Sequence, residues 1–150
     1  QIELVNDYMK PYINVINSAK TAYERHLIMW CIENSIVLNS FKEEEILIIF
    51  YEHLITQPVK SMKKIYKYLN LNYNNKIIDT LRKPSLQANS ESAISRTKNV
   101  INDWTNYVKD KQKEYTRNIL NEFNLDQLYT LAPLPSTNEN DNLLNKKYYL

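Results

Sequence analysis

The chain has 150 residues, 43% of them hydrophobic, and its 19 Lys+Arg against 17 Asp+Glu give a formal net charge of +2. That length bounds one domain or part of one, and the apolar share is enough for a buried core. The near balance of charge gives no strong push toward nucleic acid or a membrane, and no run of about 18 apolar residues is present to span one.

Glycine is absent, where about 7% would be ordinary. Glycine-rich phosphate loops, nucleophile elbows and dinucleotide fingerprints are therefore excluded from residues 1–150. The single cysteine, Cys31, forbids an internal disulfide and favours a reducing, cytoplasmic setting. The first residues lack the basic start and continuous apolar core of a signal peptide. A start at Gln1 and the missing glycine together read as a segment of something longer.

In chain order, Ile2, Val5, Tyr8, Met9, Tyr12, Ile13 and Ile16 recur at helical spacing, with a break near Pro11. Residues 20–41 predict a stronger helix with Tyr23, Leu27, Trp30, Val37, Leu38 and Phe41 on one broad apolar face. After an acidic turn at 43–45, residues 46–51 (ILIIFY) are short and rich in isoleucine, which predicts a strand buried on both faces of a parallel sheet. No second run of this kind is present, so the sheet would need strands from elsewhere.

Thr56 is a candidate helix cap and Pro58 suits a first helical turn. Val59, Met62, Ile65, Tyr66 and Leu69 then follow at helical spacing, with Lys60, Lys63, Lys64 and Lys67 facing outward. A turn over 70–75 leads to a short helix over 75–82. Residues 83–98 have the composition of a loop, and 99–109 and 110–123 return to helices. The expected domain is 1–131, with 132–150 a flexible Pro/Asn-rich tail.

Few residue types here could carry chemistry. His26 and Cys31 stand five apart on one helix, which does not place them on one face, so no metal site is expected. His53 beside Glu52 points away from it, so no catalytic residue is assigned. Tyr51 and Glu52 close the expected strand, where ligands of open α/β sheets bind. They read equally as a strand-to-helix cap or as residues that brace a neighbouring loop. The serine-rich loop 83–98 holds hydroxyl, Arg and Lys donors suited to phosphate, with a helix from about 99 aiming its amino-terminal amides back at it. A solvated polar loop is the other reading.

The ordered set of "WCIEN" at 30–34, "ILIIFYEHLITQP" at 46–58, "IYKYLNLNY" at 65–73, "RKPS" at 82–85, "SAISRTKNVINDW" at 92–104 and "ILNEFNLDQLY" at 119–129 resembles the carboxy-terminal half of a sulfotransferase, over about residues 22–130. The resemblance implies an α/β fold: the helix-rich carboxy-terminal part of a P-loop-like parallel sheet, with 46–51 as its one strand in this chain. It implies transfer of a sulfuryl group from 3′-phosphoadenosine 5′-phosphosulfate (PAPS) to a hydroxyl or amine of an unknown acceptor. By position, Ser95, Arg96, Lys98 and Ser92 would hold the cofactor's phosphates, while Tyr51 and Glu52 would brace the phosphate loop. The family's phosphate loop and catalytic base lie upstream of the matched region. The chain would thus form one wall of the cofactor site, completed by a missing amino-terminal half or a second copy. Two departures stand out: His53 replaces the usual Asp, and Asn70-Leu71 occupy the usual Gly/Leu turn. The alternatives are a mostly helical interaction module, or an inactive truncated copy.

Overall fold

A computed structural model describes residues 2–42, 44–81 and 100–136. Every regular element among them is helical: α1 (Ile2–Leu4), α2 (Ile13–Ser18), α3 (Ala22–Ser40), α4 (Tyr51–Thr56), α5 (Pro58–Tyr68), α6 (Lys76–Leu81) and α7 (Asp110–Glu122). A π-helical turn, Val5–Met9, and a 3-10 turn, Lys10–Tyr12, join α1 to α2. Pro11 sits within that 3-10 turn, where its fixed φ suits a short helical start and its missing N–H interrupts a longer helix.

The chain divides into two units: one of residues 1–46, 109–132 and 136–150, the other of 47–108 and 133–135. In the first, α3 packs against α7 and α2. Helix α3 begins at a reciprocal capping box. The Glu24 N–H donates to Thr21 Oγ1 at 3.2 Å, while Glu24 Oε2 accepts from the N–H groups of Lys20 and Thr21, which satisfies the otherwise orphaned first amides. These backbone donors, Lys20 foremost, hold the Glu24 carboxyl below its ordinary value.

The face that α3 buries differs from the sequence expectation. Ile28, Cys31, Ile32, Ser35 and Leu38 are buried, whereas Trp30, Val37 and Phe41 are exposed. The helix is apolar on more than one side, so periodicity alone leaves several faces open; the packing against α7 selects the one bearing Cys31 and Ser35. Trp30 lies edge-on to Tyr129 at 5.5 Å between ring centroids. From α7 and the turn after it come Ile119, Leu120, Phe123, Leu125 and Leu128, all buried. Phe123 stacks on Tyr12 with centroids 5.3 Å apart, and the Tyr23 and Thr116 hydroxyls share a 2.6 Å hydrogen bond.

The second unit contains α4, α5 and α6. Three expectations change here. Residues 46–50 are neither helical nor paired in a ladder, and no strand occurs among the described residues. Residues 46–49 make no backbone hydrogen bond within the described set and are only half-buried, while Phe50 is buried. A ladder needs a neighbouring strand, and none is found among the described residues. Tyr51 opens α4 instead of ending a strand. Thr56 does not cap α5: its hydroxyl donates to the Glu52 carbonyl at 2.8 Å, and Gln57 precedes Pro58 with no side-chain cap bond.

The helix expected over 99–109 is a single 3-10 turn, Asp103–Asn106. Thr105 Oγ1 donates to the Asn102 carbonyl at 2.7 Å and the Asn106 amide approaches Asp103 at 3.5 Å. Such local side-chain bonds compete with an α-helical ladder.

Two helices end in the same device. Asn70 (φ 53°) follows α5 and Asn124 (φ 55°) follows α7. The Leu71 N–H donates to the Tyr66 carbonyl and the Asn70 N–H to the Lys67 carbonyl; the Leu125 N–H donates to the Leu120 carbonyl and the Asn124 N–H to the Asn121 carbonyl. Both are Schellman endings with asparagine at the left-handed position that glycine usually takes. Beyond α7, the Ser136 N–H donates to the Leu128 carbonyl at 2.7 Å and Pro135 is buried.

Two substitutions test this construction by urea unfolding. Asn124→Val should destabilise by about 1–2 kcal/mol because a β-branched residue resists the left-handed region, with Asn124→Gly close to neutral. Phe123→Ala should cost about 3–5 kcal/mol through the cavity left beside Tyr12.

Candidate functional site

Tyr51 and Glu52 occupy the first turn of α4, directly after the irregular apolar segment. Phe50 precedes the helix with extended dihedrals (φ −79°, ψ 131°), so the chain changes from extended to helical at this point. Consecutive helical residues diverge by about 100° around the axis, and the two side chains differ in exposure accordingly. Tyr51 is 50% exposed and Glu52 is half-buried. A carboxylate in a first helical turn is favoured by the unpaired amides and the positive end of the dipole. That geometry accounts for Glu52 at this position without any ligand.

His53 is buried, at 9% exposure. Its ring stands edge-on to Phe50, 5.5 Å between centroids. The sequence signal for this was the spacing: Phe50 and His53 are three apart, which is one helical turn when 51–56 is helical rather than extended.

Ser92, Ser95, Arg96 and Lys98 lie outside the described residues. The expectation that a helix from about 99 would aim its amino-terminal amides at their loop is corrected by the short 3-10 turn at Asp103–Asn106.

Among the described residues no group of His, Cys, Asp or Glu is arranged to hold a metal ion. His26 is exposed and Cys31 fully buried, so the two do not share a surface. Burial foremost, with the Glu122 carboxylate adding to it, pushes the Cys31 thiol up from 9.0 to about 12. A thiol held neutral in this way is a core residue, not a nucleophile. Burial likewise raises the Tyr115 phenol above its ordinary value. No helix among the described residues is long and apolar enough to cross a membrane.

The sulfotransferase domain family model matches residues 17–129, about three quarters of the chain. No curated protein and no solved structure gives a significant match. The chain belongs to the sulfotransferase domain family, and the chemistry that goes with that family is sulfuryl transfer in general. The helix-rich set of described elements fits an α/β-type fold of this kind.

The Cys31 environment sets a pH dependence. The unfolded thiol ionises near 9 and the folded one only near 12, so the unfolded state binds fewer protons in between. The stability this group contributes is complete below pH 9 and is lost as pH rises toward 12. Unfolding monitored by circular dichroism should show that decline, shallower in Cys31→Ala. At pH 8 a disulfide reagent should label Cys31 only after denaturant is added; rapid labelling of the folded chain would contradict the buried assignment.

Proposed function

We propose that this chain forms one wall of the donor site of a PAPS-dependent sulfotransferase that modifies a hydroxyl or amine. The observation that carries the reading is the family match over residues 17–129, which spans the candidate loop and both flanking helical regions. In the proposed reaction a new bond forms between sulfur and the acceptor oxygen or nitrogen. The bond between sulfur and the 5′-phosphate oxygen breaks, and the leaving phosphate takes the electron pair. The acceptor's proton passes to a base.

Arg96 and Lys98, with the hydroxyls of Ser95 and Ser92, would bind the donor's phosphates and offset the charge that grows on the leaving group. Tyr51 and Glu52 would brace the phosphate loop. A glycine-rich loop cannot come from residues 1–150, which contain no glycine. The reading therefore takes that loop and the base from other sequence, either more of the same polypeptide or a second chain. Residues 46–50 would gain their ladder bonds from the same source, becoming a strand of a P-loop-like parallel sheet. A cytoplasmic setting belongs to the reading, in keeping with one free, buried thiol.

A helical interaction module is the second reading, favoured by the exposed Val37 on α3 and Phe41 just after it, apolar side chains that a partner could cover. Binding of 3′-phosphoadenosine 5′-phosphate, measured by calorimetry on these residues joined to a phosphate-loop segment, separates the two. Arg96→Ala with Lys98→Ala should weaken binding at least about 100-fold, since charge-assisted hydrogen bonds contribute about 1.5–3 kcal/mol each. Unchanged affinity would remove the loop assignment and leave the interaction module standing.

A further inference from the structure

The net charge of +2 conceals a local concentration of charge on α5. Its sequence, PVKSMKKIYKY, carries four lysines and no acid. Lys60, Lys63, Lys64 and Lys67 stand at i, i+3, i+4 and i+7, which stacks them along one side of the helix. The opposite side is committed to the protein: Ser61 and Met62 are buried. Lys63 lies over the Tyr73 ring, 5.7 Å from its centroid. The ammonium groups of Lys64 and Lys67 make no hydrogen bond or ion pair among the described residues.

A second feature adjoins the stripe. At the carboxy-terminal end of α5, Tyr68, Leu69 and Leu71 are 45%, 54% and 56% exposed. The Schellman turn at Asn70 holds these residues together, since the Leu71 N–H is bonded to the Tyr66 carbonyl. The helix thus presents a row of ammonium groups that ends in exposed aromatic and branched apolar side chains.

Charge complementarity fixes the sign of the partner, and the apolar end fixes its class. A nucleic acid or soluble polyanion would satisfy the lysines but leave Leu69 and Leu71 in water. The stripe also contains no arginine for bidentate readout. An anionic lipid surface meets both demands: headgroup charge for the lysines and an interfacial apolar layer for Tyr68, Leu69 and Leu71. We propose that the lysine stripe of α5 and the Tyr68–Leu71 end dock this protein peripherally on an anionic membrane surface. This docking is independent of the donor-site reading, because none of its residues belongs to that site.

The test is co-sedimentation of the 150-residue chain with phosphatidylcholine vesicles, with and without phosphatidylserine. Binding is expected only to the anionic vesicles. It should be released by about 1 M salt, where the screening length falls to about 3 Å. Lys64→Gln with Lys67→Gln removes one half-buried and one exposed ammonium group and should lower the partition coefficient about 30-fold. Leu69→Ser with Leu71→Ser should also weaken binding, while keeping its salt dependence. Equal binding to neutral vesicles, absence of binding to either kind, or undiminished binding of the lysine variant would each overturn the proposal. So would retention on a heparin matrix that the leucine changes leave intact, if the vesicles retain nothing, because the partner would then be a soluble polyanion.

Discussion

The first unit depends on one long-range pairing, in which α7 and the turn after it close over the buried side of α3 and the start of the chain. Tyr12 and Phe123 are more than a hundred residues apart, yet they stack at 5.3 Å. Around them Ile28, Ile32, Ile119, Leu120 and Leu125 are almost wholly removed from water. Apolar burial of this kind is worth roughly 1.5–3 kcal/mol per large side chain, more than an exposed ion pair such as Lys113–Asp110 or a single helix cap contributes. The same burial sets the chemistry of Cys31: a thiol surrounded by apolar groups, with the Glu122 carboxylate nearby, has no means of holding a negative charge.

A second constraint is the absence of glycine. Helices must still end, and a left-handed residue is the usual means. Asn70 and Asn124 take that position, because a short amide side chain tolerates positive φ better than any other non-glycine residue. The two endings share a pattern, an apolar residue followed by Asn-Leu, in YLNL and EFNL. At Asn70-Leu71 the asparagine thus takes the left-handed position that glycine usually fills at a helix end. No such substitute exists for a phosphate loop, whose backbone must approach an anion closely.

Helix α7 could be read closely from sequence, as could α5 and α6, because each has one clear apolar stripe and polar residues elsewhere. The position of α3 was equally legible, but its buried face was not. Trp30, Val37 and Phe41 compete with Ile28, Cys31 and Ile32 for the interior, and only the surface offered by α7 decides between them. At 46–50 the apolar run carried its composition but not its pairing, since a strand is a relation between two segments. At 100–109 the apolar residues kept helical spacing, while Asn102, Thr105 and Asn106 drew the backbone into local hydrogen bonds. For the site, the family and the order of its motifs were legible. Tyr51 and Glu52 proved to be the first turn of a helix, so what these two side chains could brace was not.

By itself, then, the sequence determined the places of α3, α5, α6 and α7, the exclusion of glycine-dependent phosphate loops from these residues and membership of the sulfotransferase family. These properties depend on the local order of residues and on composition. Only the tertiary structure decided which side of α3 is the core, that His53 is buried against Phe50, that Cys31 is held neutral, and that 46–49 form no strand among the described residues. Each of these depends on which distant surface a side chain or backbone group meets, and no local pattern records that.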